Sequence, residues 1–453
     1  MRLLIAWCAL LCGCSEVLVV PNDGDGGGGA TSTDTTTVAT NVTSSGQGGY
    51  EPQGGSGGAG GGPAPKDRMI VVDADIPSHA DPEEVIVLVS APDGTVSDWW
   101  TGAELPVDAG VNDGDLVTFA FWSGYSQATS YRITPAVMEV MADVPIRSYF
   151  LPCRQQAPMN VTLVLPEVAG ANHYDVESSS GVAGLYASGP GTAEREIRAC
   201  EGIESFDVVA LASDSANLDA IAFARLDAIA YVPGSSIEVP IVWSAERQNL
   251  DIVVSGAPGA SLRATGSWRD GSLSLSGMYA STSMTAQIGP DGTTSLTYGP
   301  LAIGGGTSSV SVSTPPSFTC ELDNAWRMAP FDGTPFMVAF GTLAGFAPTA
   351  DGNVAIGGSG EVGDVLHRWA DDYLTDDSAY WQLLEDPLTP YPLPTHPDLP
   401  AGALPGFKWP SAAAEIRHVH QDLVGIEGYA QYASVNPAGL DGRARHRLPQ
   451  SCF

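Results

Sequence analysis

From Met69 onward the chain repeats one local pattern. Short apolar runs, rich in β-branched and aromatic side chains, are separated by Asp-Gly pairs. "EEVIVLVSAPDGT" carries a run from Val85 to Val89 and then Asp93-Gly94, and "NDGDLVTFAFWS" carries Asp113-Gly114 and then Leu116 to Trp122. Further pairs stand at Asp270-Gly271, Asp291-Gly292, Asp332-Gly333, Asp351-Gly352 and Asp441-Gly442. Runs this short are strands rather than helices, and the glycine supplies the positive φ of a tight hairpin. The expected fold is mainly β: two sandwich-like modules plus a β-rich C-terminal region with one short helix, after a disordered linker.

The runs divide the chain at its gaps. Residues 67–153 make a first sandwich-like module. "NVTLVLP" at Asn160, "FDVVALA" from Phe206 and "SSIEVPIVW" from Ser235 make a second over 154–248. In the region 249–453, "SLSLSGMY" and "SSVSVST" alternate Leu273, Leu275, Val310 and Val312 with serine. That alternation marks sheet with one buried and one wet face. "VGDVLHRWADDYL" places Val362, Val365, Leu366, Trp369 and Tyr373 at helical spacing, so the helix is expected there. "LEDPLTPYPLPTHPDLP" is extended, wrapping the surface or leading into a last strand or hairpin, "EIRHVHQDLVGIEGYAQYASV".

Before Met69 the pattern is different. Pro21 to Pro65 is Gly, Ser, Thr and Pro with almost no aliphatic content, too polar to bury a core. It predicts a tether reaching roughly 35–40 Å, at 5–6 Å × √n for about 45 residues. "NDGDGGGG" within it lacks the later ligands of a calcium loop.

The first residues concern address. Met1-Arg2 precedes an uncharged stretch from Leu3 to Gly13. It is too short to span a bilayer, which takes about 20 apolar residues, but it suits an export signal. Leu11-Cys12-Gly13-Cys14 resembles the lipobox of bacterial lipoproteins. The resemblance implies a signal peptide over 1–13, and a mature chain whose residues 14–66 are the lipidated cysteine and linker. The Cys14 thiol would accept the diacylglycerol, and cleavage before it frees an amine for a further acyl chain. Trp7 and Leu11 are too bulky before Cys8 and Cys12 for either to serve. Several acyl chains at ~0.8 kcal/mol per buried CH₂ make a lasting anchor in the lipid bilayer. The resemblance also implies sorting by the residue after the lipidated cysteine, and Ser15 in place of Asp then favours the outer membrane.

Composition bounds the partners. Lys and Arg total 19 against 52 Asp and Glu, a formal net charge of −33 that argues against nucleic acid. The local basic cluster Arg443, Arg445, His446 and Arg447 reads as a solvated tail. The partners expected are the bilayer and an envelope protein or glycan. Of the seven cysteines, Cys153, Cys200, Cys320 and Cys452 remain beside Cys14 after cleavage. In an exported chain they suggest two disulfides in one of three connectivities, Cys153–Cys200 with Cys320–Cys452 being the simplest.

Candidate sites are sparse. His418 and His420 alternate around Val419 and would share a strand face, as metal ligands or as edge histidines. "DDYLTDD" concentrates Asp371, Asp372, Asp376 and Asp377 without EF-hand spacing. Calcium is the one ion such a run could hold, and no other cofactor is indicated. Trp99 and Trp100 would face opposite ways on a strand, leaving one to stack on a ligand. No HExxH occurs, the one Gly-x-Ser-x-Gly (Gly54 to Gly58) lies in the linker, and "GGGTSS" at Gly304 lacks the P-loop lysine. No catalytic residue is nominated. The function expected is non-enzymatic binding or structural work at the bacterial cell envelope. The alternatives are a secreted hydrolase acting on glycan or peptide and a calcium-stabilised adhesin.

Overall fold

The computed structural model describes residues 66–447, except 75–81, 123–125, 143, 149–155, 180–184, 188, 200–201, 215–218, 257, 271–272, 277–283, 300, 304–305, 316–320, 330–333, 342, 349–353, 373–378, 390, 412–413, 415 and 436–439. Cys14, the linker and all four disulfide candidates, Cys153, Cys200, Cys320 and Cys452, lie outside the described residues. The fold is mainly β, in several sheets with two short helices. No helix among the described residues is long and apolar enough to cross a membrane.

The first segment holds β1 (Arg68–Ala74), β2 (Val85–Ser90), β3 (Val96–Thr101), β4 (Val107–Val111), β5 (Leu116–Trp122), β6 (Ser126–Arg132), helix α1 (Pro135–Val140) and β7 (Ile146–Ser148). Pro135 starts α1, and the Thr134 hydroxyl accepts from Val137 N–H to cap it. Gly94 and Gly114, in two of the Asp-Gly turns, take φ of 89° and 85°. Strands β4-β1-β7 form one sheet, while β3-β2-β5-β6 end a larger one. β2 is buried along its whole length because both its faces are covered. Val85, Val87 and Val89 enter a core with β1 and α1, and Ile86 and Leu88 enter another on the far side.

The second segment is a sandwich. β8 (Met159–Leu165), β9 (His173–Ser178), β10 (Leu185–Ala187), β11 (Gly191–Ile197), β12 (Ser205–Asp214), β13 (Asp219–Ala230) and β14 (Ser236–Pro240) make sheets β10-β9-β12-β13 and β11-β8-β14. Val208, Ala210 and Ala212 of β12 face the sandwich core. Val209 and Leu211 face the opposite way, into a core shared with the next segment. The unbroken run "DVVALA" is therefore one strand feeding two cores.

The remainder contains β15 (Leu250–Gly256), β16 (Ser261–Asp270), β17 (Leu273–Ser276), β18 (Met284–Gln287), β19 (Thr293–Tyr298), β20 (Thr307–Ser313), β21 (Glu321–Ala329), β22 (Phe336–Phe340), β23 (Gly345–Pro348), β24 (Val354–Gly357), β25 (Val365–Asp372), β26 (Ala379–Glu385), β27 (Ile416–Leu423), helix α2 (Tyr429–Tyr432) and β28 (Gly442–Arg447). β20 alternates as expected, with Val310 and Val312 fully buried. The large sheet runs β17-β16-β20-β21-β28-β27-β25-β26-β6-β5-β2-β3, with β18 on β16. It crosses the divisions drawn from local pattern, because β6 pairs in parallel with β26, Ser126 opposite Ala379.

The helix expected at 362–374 is instead strand β25, hydrogen-bonded to β26 and β27. Its residues must serve two covered faces, Val365 inward to one core and Ala370 to another, which a strand achieves and an isolated amphipathic turn does not. The short helix of this region is α2. The Pro-rich segment after Glu385 wraps the sheet, placing Leu393, Leu399, Leu404, Phe407 and Trp409 over Leu116, Ala120 and Trp381.

Candidate functional site

The two faces of β25 present different chemistry. On one face, register rows run across four strands: Arg368, His418, Arg447 and Glu321, and beside them Leu366, His420, Arg445 and Asp323. His418 and His420 thus share a face, as their spacing predicts. Their surroundings do not suit a cation. His420 Nε2 accepts from Gly363 N–H at 2.7 Å and its Nδ1–H donates to Ala344 O at 3.1 Å. Both nitrogens are used, and the ring is the neutral Nδ1–H tautomer. His418 is pushed down to about 4 by burial, with the Arg368 and Arg447 charges adding to it. The Phe346 ring of β23 lies 6.1 Å from it. Arg445 grips Asp323 through two bonds of 2.6 and 2.8 Å, and Arg443 is held by Asp422 at 2.8 Å and by Glu361. The basic cluster expected to be a solvated tail is therefore a paired row inside a sheet. Sheet pairing brings Asp323 from β21 and Asp422 from β27, and Glu361 comes from the segment before β25.

Farther along this face the charges are sealed. Glu385 meets Arg132 at 2.8 Å and Arg368 at 2.5 Å, and all three side chains are at most 1% exposed. Arg132 also donates to Gly114 O and Pro392 O, and Arg368 to Tyr391 O. The Tyr391 ring covers Arg132 at 4.8 Å, and its hydroxyl, pushed up to about 12 chiefly by burial, donates to Asp113. The triad fastens the Pro-rich strap to the sheet.

The other face carries the open chemistry. Direct register partners place Trp369 beside Gln382 and Arg417, Asp371 beside Tyr380, and Tyr380 beside Gln127 of β6. These six residues are half-buried. Each strand grades from apolar to polar along this face: Val365, His367, Trp369, Asp371 on β25 and Leu384, Gln382, Tyr380 on β26. The apolar ends enter the core and the polar ends emerge from it. The Trp369 and Tyr380 rings lie 6.5 Å apart, inclined at 56°. Gln382 donates from Nε2 to His367 Nδ1 at 2.6 Å and accepts from the Tyr380 hydroxyl at 3.4 Å. Burial pushes His367 down to about 3, and Tyr432 of α2 closes over it at a ring separation of 5.6 Å. Arg417 pairs with Asp371 at 3.3 Å. Trp369 Nε1 and His446 Nε2 are enclosed without a hydrogen-bond partner among the described residues.

Asp371 and Asp372 fall on opposite faces of β25, and Asp376 and Asp377 lie outside the described residues. No group of three His, Cys, Asp or Glu able to hold a metal occurs among the described residues. Trp99 and Trp100 lie on the edge strand β3 and do face opposite ways: Trp99 is 44% exposed, and Trp100 packs on the core beside Val87. Sequence reasoning missed the patch of Trp369, Tyr380, Gln382 and Arg417. A strand reading of "VLHRWADD" would have put His367, Trp369 and Asp371 on one face.

No family model and no curated protein matches the chain. Among solved structures, the shaft pilin SpaA of Lactobacillus rhamnosus GG is 10% identical with a TM-score of 0.13, over 40% of this chain and 97% of the pilin. A putative carbohydrate binding protein from Bacteroides uniformis is 7% identical with a TM-score of 0.13, over 38% of this chain and 97% of that one. The Streptococcal ancillary pilin is 8% identical with a TM-score of 0.16, over 60% of this chain and 98% of that one. Likenesses at these scores carry no functional inference for this chain.

Proposed function

We propose that this chain is an exported envelope lipoprotein, anchored in the outer membrane through acylated Cys14, that binds a ligand on its large sheet without transforming it. The observation that carries the reading is the half-buried face of Gln127, Tyr380, Gln382, Trp369, Asp371 and Arg417. Its aromatic rings and amides are suited to contact. Its charges are occupied: Asp371 and Arg417 neutralise one another, and His367 is held neutral beneath Tyr432. General acid–base work needs a group that exchanges its proton near the working pH and reaches the substrate. The tether from Pro21 to Pro65 would lift this face clear of the lipid.

Two measurements test the reading. Cys14→Ala should move the protein from the membrane fraction to the soluble fraction, and unchanged detergent partitioning would reject the anchor. Incubation with cell-wall polymers and envelope extracts should deplete the protein onto one of them with no soluble product released. Released sugar or peptide would replace binding with hydrolysis.

A further inference from the structure

We infer that the ligand of the Trp369 face is an uncharged pyranose ring of a glycan, an inference that rests on the binding reading above. A pyranose presents apolar C–H faces and a rim of hydroxyls that both donate and accept. Trp369 and Tyr380 supply two half-buried rings inclined at 56°, an angled platform for the apolar faces. Around them the Gln127 and Gln382 amides and the Arg417–Asp371 pair offer donors and acceptors together. That mixture matches hydroxyls. A phosphate or sulfate only accepts and would need a surplus of cations. Arg417 is matched by Asp371 at 3.3 Å, so the patch has no surplus charge. The formal net charge of −33 further disfavours polyanions such as uronates or nucleic acid. An acyl chain would require a continuous apolar groove, and amides and charges interrupt this face.

The site is also preorganised. Its residues stand on four adjacent strands, β6, β26, β25 and β27, in direct register. Gln382 is held between His367 and Tyr380, so little side-chain freedom remains to be lost on binding.

The test is affinity electrophoresis of the detergent-solubilised full chain through gels containing β-glucan, xylan, galactomannan or dextran, with polygalacturonate as the anionic comparison. At least one neutral polymer should retard the protein. Trp369→Ala and, separately, Tyr380→Ala should each weaken retardation about tenfold, the equivalent of one lost stacking contact. Trp99→Ala, on the distant β3 edge, should leave it unchanged. Circular dichroism identifies any variant that fails to fold, and the other platform variant then decides the question. No retardation by the neutral polymers, equal retardation of the platform variants and the parent, or retardation by polygalacturonate alone would overturn the inference. Cross-linking of an envelope protein through a photoreactive group at position 382, with every glycan inert, would reject the saccharide while keeping the binding reading. Release of reducing ends would reject both.

Discussion

Glu385→Gln keeps the shape of a buried side chain and removes the one anion between two cations. Arg132, Glu385 and Arg368 are at most 1% exposed, with contacts of 2.8 and 2.5 Å to the carboxylate. After the substitution both guanidiniums remain buried, with the carbonyls of Gly114, Pro392 and Tyr391 as their acceptors. Removing one partner of a buried pair costs about 3–5 kcal/mol, and both guanidiniums lose the Glu385 carboxylate here, so about 4–5 kcal/mol is expected. Hydrogen exchange followed by mass spectrometry reads this directly. Protection of amides in β6, β25, β26 and the strap from Tyr391 to Trp409 should fall about a thousandfold, at 1.4 kcal/mol per tenfold. The strap should loosen with the sheet, because the two arginines hold its carbonyls. A change under about tenfold would refute the reasoning. The combined replacement Arg132→Met, Glu385→Leu and Arg368→Met should recover most of the loss, since an apolar trio of similar volume replaces a buried ion triad at little cost. Equal instability of the triple variant would show that packing, and not unpaired charge, was lost.

Acid should weaken the fold through its buried histidines. Folded-state values of about 3 for His367 and about 4 for His418 and His446 lie below the unfolded value near 6.5. Below pH 6.5 the unfolded chain binds protons that the folded chain refuses. Stability therefore falls as pH drops from 6.5 towards 4, by about 1–2 kcal/mol per histidine between pH 7 and 5. Urea midpoints at the two pH values should differ accordingly, and His367→Gln should reduce the difference; equal midpoints would refute it. Burial raises Asp175, Glu177 and Asp364, which act in the opposite sense as pH falls through their folded values. Gly363→Ala would drive a Cβ into Gln421 O and displace the N–H that holds His420. A loss of about 1–3 kcal/mol is expected, with a changed His420 imidazole signal in nuclear magnetic resonance. An unchanged midpoint and signal would show that β25 and β27 yield freely.

Local chemistry made much of the fold legible. "VIVLV", "LVTFAF" and "DVVALA" read as strands from composition, and the structure buries both faces of each. The period of two placed His418 with His420 and separated Trp99 from Trp100. It also carried "SSVSVS" correctly as a one-faced strand, with Val310 and Val312 inside.

The partners of those strands were not legible. "VGDVLHRWADDYL" satisfies a helical stripe, and only hydrogen-bonding to β26 and β27 decides for a strand. The parallel pairing of β26 with β6 joins residues about 250 positions apart, beyond any local signal. That pairing brings Gln127 to Tyr380, the pairing of β25 with β26 and β27 adds Trp369 and Arg417, and the pairing of β27 with β25 and β28 surrounds His418 and His420 with arginines in place of a third ligand. Sequence by itself determined most of the strands, β25 excepted, and the alternation of their faces, because both follow from a residue's own side chain and its neighbours in the chain. Tertiary structure alone decided which strands meet, because burying two faces of one sheet is a property of the whole chain.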